Sequence, residues 1–283
     1  MKTNGWIILI FGAIVATACS KNDSHLEIPS RLAEAAFRAK YPDAYSVEWE
    51  RAGMYQKVEF ELASREYDAW FDASGKWLQT EYSQPYATLP QAVKDYVADR
   101  DDYPASEWIP DPSVEVVERL NYPTWYGVEL ERGRNEVTLW TDADIFRHFD
   151  EVEDIDRGDL LQAIRSFISS KYTGGWITEG MKLVDGSYIV NLLSDREVKQ
   201  VYFNSSAVWT YTAWPVLIGD LPFAVQQVLT TGEAYKGYTI KSAEYQQYPD
   251  KSYYRVVLEN TEYPGSPTLQ VNVDAEGNLV LAD

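Results

Sequence analysis

The sequence predicts an α+β protein built from repeated units, each a helix packed on an antiparallel sheet of about four strands. Three observations carry this reading: four look-alike turn segments, a helix-like stretch ahead of each, and a spacing of 132 residues relating the second half of the chain to the first. Between helix and turn the apolar period changes from about 3.6 to 2, the signature of a helix giving way to strands with one buried face.

The chain opens as an export signal. Met1, Lys2 and Thr3 precede an apolar run from Trp6 to Ala16 and then Ala16-Thr17-Ala18-Cys19. A basic start, a short apolar stretch and a small-residue cleavage site are the layout of a secretory signal. The run is about half of the roughly 20 residues that span a bilayer, and the polar segment Ser20 to His25 follows it at once. Residues 1–18 are therefore expected to be removed, with 19–27 left as a tether. Cys19 is the only cysteine of the chain, so no intramolecular disulfide can form. The stretch ending at Cys19 resembles the lipobox of bacterial lipoproteins, with Ala16 where Leu is usual, and the resemblance implies acylation of Cys19. Several acyl chains, at about 0.8 kcal/mol per buried methylene, would hold the protein on a membrane almost permanently.

Four helices follow, with starts near Ile28-Pro29-Ser30, Leu89-Pro90, Leu160-Leu161 and Leu221-Pro222. Proline is tolerated at a helix start because the amide it lacks would have no partner there. Leu32, Ala36, Phe37 and Tyr41, and likewise Ile164, Phe167, Ile168 and Tyr172, recur at helical spacing and ask for a core on one side. Each helix leads into strands. Val58, Phe60 and Leu62 alternate with Lys57, Glu59 and Glu61; Tyr126, Val128 and Leu130, then Tyr188, Val190 and Leu192, then Tyr254, Val256 and Leu258 repeat the pattern. The turns begin at Asp72, Asp142, Asn204 and Asp274, and two of them supply glycine, at Gly75 and Gly277, as hairpins favour. Pro90 and Pro222, Asp72 and Asn204, and Asp142 and Asp274 are each 132 residues apart, which implies a two-unit module that has been duplicated. The expected boundaries are 28–87 and 88–152 for the first pair of units, and 153–219 and 220–283 for the second. The run Asp150, Glu151, Glu153, Asp154, Asp156 and Asp159 reads as a charged linker between the pairs. Calcium would suit its oxygen ligands, but the Asp-x-Asp-x-Asp-Gly order and the distal Glu of a calcium loop are missing.

The proline-opened helix closed by Tyr41-Pro42, the hydrophobic strand pair, and Phe71-Asp72 leading to Gly75-Lys76-Trp77 resemble the PepSY-like domains of Bacteroidetes lipoproteins, described as β-lactamase-inhibitor-like. The resemblance spans essentially the whole mature chain as four units. It implies tandem β-lactamase-inhibitor-protein-like units, in which helices back an antiparallel sheet and paired units form a concave surface. It does not carry the claim of β-lactamase inhibition, because a fold hosts many functions.

The formal charge of −19, or −20 once Lys2 is lost with the signal, repels phosphates and anionic headgroups, so nucleic acid is not an expected partner and membrane contact is expected through the lipid alone. Only His25 and His148 are present, and the sequence holds no Gly-x-Ser-x-Gly elbow, phosphate-cradling glycine loop or His-Glu-x-x-His helix. No catalytic residue, cofactor or metal is expected. The aromatic residues point instead to binding. If Phe71 and Phe203 face the helices, their neighbours Trp70 and Tyr202, and Trp140 by its equivalent place, face the other way, and exposed rings at equivalent sheet positions suit a protein-binding surface. The expectation is a non-catalytic, outer-membrane-anchored lipoprotein, on the periplasmic or cell-surface side, that binds or inhibits another exported protein or peptide through that face. The alternatives are a hydrolase using paired carboxylates on glycan or peptide, favoured by a cluster of buried acids, and a purely structural envelope protein.

Overall fold

The computed structural model describes residues 28–144, 147–263 and 265–281. The signal peptide, the tether and the acylation site assigned to Cys19 lie outside the described residues.

Unit one consists of α1 (Arg31–Lys40), β1 (Tyr45–Ala52), β2 (Tyr55–Leu62), β3 (Arg65–Asp72) and β4 (Trp77–Pro85). Unit two has α2 (Gln91–Ala98), a two-residue β5 (Ile109–Pro110), β6 (Ser113–Arg119), β7 (Trp125–Arg132), β8 (Asn135–Asp142) and β9 (His148–Ile155). Unit three runs through α3 (Gln162–Lys171), β10 (Trp176–Leu183), β11 (Tyr188–Ser194), β12 (Glu197–Phe203) and β13 (Trp209–Val216). Unit four closes with α4 (Phe223–Thr231), β14 (Thr239–Gln247), β15 (Ser252–Glu259) and β16 (Thr268–Val273).

The helices form where the sequence pattern places them. Ser30 caps α1, its hydroxyl oxygen accepting from the Ala33 amide at 3.0 Å and donating to the Ala73 carbonyl at 2.9 Å, which ties the helix start to the β3–β4 turn. The four turns share one chemistry. The side-chain oxygens of Asp72, Asp142, Asn204 and Asp274 accept from the amide two residues on, at 2.8 to 3.0 Å, as Asx turns do.

Each helix covers its own cluster of strand residues. Phe37 packs with Phe60 and Phe71; Val93 with Val128 and Leu139; Ile164 with Val190 and Phe203; Val225 with Val256 and Leu258. The duplication reaches into hydrogen bonding. Thr80 meets the Tyr41 hydroxyl at 2.5 Å and the Trp77 indole at 2.8 Å, and Thr212 meets Tyr172 at 2.5 Å and Trp209 at 3.0 Å.

Three expectations are corrected. The strands do not form separate four-stranded sheets: one antiparallel sheet of 16 strands runs in sequence order from β1 to β16, with only β5 off the path, beside β7. The acidic run is no linker either. His148–Ile155 is strand β9, hydrogen-bonded to β8 on one side and β10 on the other, so the boundary placed between residues 152 and 153 falls inside a strand shared by both halves. Its charges are tolerated because partners meet them. Asp150 takes a two-pronged ion pair from Arg100, at 2.9 and 2.5 Å, and Glu151 accepts from the Trp140 indole at 2.5 Å.

The sheet also departs from the expected division into one buried and one watered face. Ala52, Tyr55, Trp70 and Leu78 of the first half pack against Leu193 and Val198 of the second. Val117, Trp125 and Trp140 pack against Met181 and Ile189. The sheet thus curls until its helix-free side meets itself, with helices outside and a seam between the halves inside.

Candidate functional site

The seam is apolar in places and polar elsewhere, because each strand sends alternate residues into it. Through its middle runs a polar chain linking three units. Gln79 donates to Glu81; Arg119 donates to the Gln79 oxygen at 2.9 Å and lies 3.7 Å from Glu179; Asn191 donates to Glu179; Gln200 donates to Asn191 at 3.2 Å; and Tyr202 donates to Gln200 at 3.2 Å. Arg119 is almost fully buried.

Carboxylates outnumber cations around Arg119. Burial, reinforced by the neighbouring Glu179, pushes the Glu151 carboxyl up to about 8. Glu81, Glu115 and Glu179 are raised as well, in each case mainly by burial; repulsion from Glu179 adds to the first two, and the Arg119 charge opposes the rise in Glu81 and Glu179. Each of these acids keeps its proton to a higher pH than an exposed glutamate does.

At the end of the polar chain one cavity wall holds two arginines against a single glutamate. Tyr202 lines a cavity of about 200 Å³ with Trp125, Arg147, His148, Phe149, Tyr211, Glu244, Gln246 and Arg255. A second cavity of about 300 Å³ shares Arg147, Glu244 and Arg255 as its wall and extends to Tyr122, Asp142, Asp144 and Lys241. Glu244 forms an ion pair with Arg147 and accepts from Gln246 at 2.7 Å. Lys241 is held by Asp144 at 3.1 Å and Glu259 at 3.3 Å. Arg255 has no such partner: among the described residues no carboxylate pairs with it, and its Nε is buried without an acceptor, as is the Trp125 Nε1.

The family model described as "Putative beta-lactamase-inhibitor-like, PepSY-like" matches this chain twice, over residues 54–146 and 186–280. The two matches begin 132 residues apart and together cover more than half of the chain. The chain belongs to this PepSY-like family. Among solved structures it is similar to a BLIP-like protein from Bacteroides fragilis, at 28% identity, covering 46% of this chain and 92% of that one with a TM-score of 0.39. It is also similar to a DUF2874 family protein from Bacteroides uniformis, at 19% identity, covering 44% and 90% with a TM-score of 0.37. A protein described as a putative periplasmic protein from Bacteroides eggerthii matches at 14% identity, covering 44% and 91% with a TM-score of 0.38. No curated protein matches.

Within the PepSY-like units the predicted ring positions have the expected register and the wrong exposure. Phe71 and Phe203 face their helices, and Trp70, Trp140 and Tyr202 point to the other side. Trp70 is 4% exposed and Trp140 2%, so the proposed outward binding face does not exist at these rings. The reason is the curl of the sheet, which covers Trp70 with Leu193 and Val198 and seats Trp140 beside Phe149 and Met181. Tyr202 alone is half-buried, and it reaches the cavity. Asn272, the fourth equivalent position, pairs with Arg255 across β15 and β16.

Trp125, Arg147 and Arg255 were not among the predicted site residues. The signal available for Arg255 is its place between the buried Tyr253 and Val257, at alternate positions of β15 that share its face, opposite Glu244 on β14. A charge in such a place marks a polar patch within an interior. Glu129, Glu131 and Glu136 bring carboxylate oxygens within 4.8 Å of one another, on the same side of β7 and β8 as Trp125 and Trp140. No helix among the described residues is long and apolar enough to cross a membrane.

Proposed function

We propose that this PepSY-like chain is a non-catalytic envelope lipoprotein, anchored through Cys19, that binds another exported protein or peptide at the mouth of the seam between its halves; where the partner is an enzyme, inhibition is the consequence. The observation that supports it is the cavity walled by Arg147, Tyr202 and Arg255, a place with an uncompensated cation in a chain of net charge −19. Anchored proteins with acidic surfaces repel most neighbours, so an inward cation selects what may dock.

The test compares capture from envelope extract by the mature chain and by its Arg255→Ala variant, with thermal unfolding of both. Loss of a captured protein at unchanged stability supports the seam as the site, and identical capture by both chains overturns it. The anchor is tested separately, by radiolabelled fatty acid incorporation, which should vanish in Cys19→Ser.

A hydrolase is the second reading, favoured by the carboxylates around Arg119. Its chemistry fits poorly. Glycoside hydrolysis needs one carboxyl protonated and another ionised, whereas Glu81, Glu115, Glu151 and Glu179 are all raised together.

A further inference from the structure

We propose that the cavity where units two, three and four meet recognises a carboxylate, carried by a ligand with a flat apolar body. This rests on the reading of the seam mouth as a binding site and names the chemistry it selects.

The donors define the charge of the ligand. The indole of Trp125, a residue 1% exposed, has its Nε1–H buried with no acceptor, and the Arg255 Nε is buried in the same state. Both residues line one cavity. A buried donor left without an acceptor costs about 1 to 3 kcal/mol, so two of them at one cavity describe an acceptor that belongs there. Glu244 does not fill the role, since one of its oxygens meets Arg147 and the other accepts from Gln246. The wall therefore carries Arg147 and Arg255 against one glutamate, one positive charge in excess.

A carboxylate answers this set better than other anions. Its two oxygens match the planar guanidinium fork, and a single negative charge matches the single excess cation. The rest of the lining shapes the body of the ligand. Trp125, Phe149, Tyr202 and Tyr211 are ring walls, and the Tyr202 and Tyr211 rings stack at 4.1 Å between centroids. A void of about 200 Å³ between rings accepts a planar group rather than a bulky or hydrated one. Free aromatic acids and the C-terminus of a peptide ending in an aromatic residue both present this chemistry.

Calorimetric titration of the mature chain with benzoate, benzamide, and a tripeptide ending in Phe as free acid and as C-terminal amide separates the possibilities. Benzoate or the free-acid peptide should bind at least tenfold tighter than its amide. Arg255→Gln should abolish that preference, and Trp125→Phe, which keeps an aromatic ring and removes the N–H, should weaken it several-fold. Arg255→Lys guards against misfolding, because it retains the charge and should keep part of the affinity. A free-acid peptide binding more tightly than benzoate assigns the site to chain termini, and the reverse order assigns it to small acids. Equal binding of acid and amide, or an Arg255→Gln chain that binds as well as the parent, overturns the proposal. If partner capture depends on Arg255 while no carboxylate binds, the ligand chemistry is wrong and the binding site stands; if benzoate binds while capture ignores Arg255, the seam mouth is not where the partner docks.

Discussion

The two sides of the sheet differ in how they use the duplication. On the helix side the two halves repeat the same contacts: Thr80 and Thr212 join equivalent Tyr and Trp partners, and Lys40 and Lys171 each lie 3.9 Å from the centre of the equivalent indole ring, Trp77 or Trp209. On the inward side equivalent positions diverge. Trp70 and Tyr202 occupy one repeat position, Trp140 and Asn272 another, and each does something different. A helix-facing residue must solve the same packing problem in every unit, whereas an inward residue meets whatever the opposite half presents. Repetition marks the scaffold, and its loss marks the seam.

The largest test of this difference removes an inward ring. If the inward side were a watered surface, Trp140→Ala would change stability by about 0.5 kcal/mol or less. With Trp140 and Trp70 buried, each truncation to Ala should cost about 3 to 5 kcal/mol, as much as Phe37→Ala on the helix side. Urea unfolding of the three variants measures this. A small loss for both tryptophans beside a large one for Phe37 would return the inward side to solvent.

The second test uses the carboxyl groups buried on the inward side. Glu81, Glu115, Glu151 and Glu179 keep their protons to higher pH in the folded chain than in the unfolded one. Their contribution is fully present below the ordinary glutamate value of 4.5 and is lost as pH rises toward about 8, where Glu151 ionises. Asp72 and Asp195 are held low by hydrogen bonds, against the cost of burial, and act oppositely, but only as pH falls through the normal aspartate range of about 3.8. The urea midpoint should therefore fall between pH 5 and pH 8, and Glu151→Gln should flatten the decline. A midpoint that rises or holds level over that interval would mean these acids are solvated and the seam is open.

How far the fold could be read from the sequence follows the same line. The helices, the four Asx turns and the register of Phe71 and Phe203 were legible because local chemistry fixes them: caps, alternation and side-chain-to-amide hydrogen bonds act within a few residues. The curl of the sheet was not, since contacts such as Trp70 with Val198 join residues far apart in sequence, and an aromatic at an alternate position looks the same whether water or another strand covers it. The linker reading of 150–159 failed for a related reason. Acidic density suggests solvent, but Arg100 lies far from Asp150 in the chain and only the folded sheet brings them together. Of the cavity, Tyr202 was reached through register alone, while Arg255 and Trp125 could be found only once the facing strands were known.

The smallest test examines whether the helix side repeats as closely as the hydrogen bonds suggest. In units one and four the turn under the helix start holds a glycine. Gly75 has a φ of +87° and Gly277 of +90°, and a Cβ there would lie 2.6 Å from the Leu32 carbonyl oxygen and 3.0 Å from that of Ala224. In unit three the equivalent residue is Ala207, which accepts a φ of +59°. A left-handed conformation costs a residue with a Cβ roughly 1 to 2 kcal/mol, part of which glycine returns through the greater freedom of its unfolded chain. Ala207→Gly should accordingly stabilise by about 0.5 to 1 kcal/mol, while Gly75→Ala, which adds a collision with backbone to the strain, should destabilise by more than that. Paired denaturation curves decide it. If Ala207→Gly has no effect or destabilises, the turn of unit three is packed differently from that of unit one, and the equivalence of the helix side ends at the hydrogen bonds of Thr80 and Thr212.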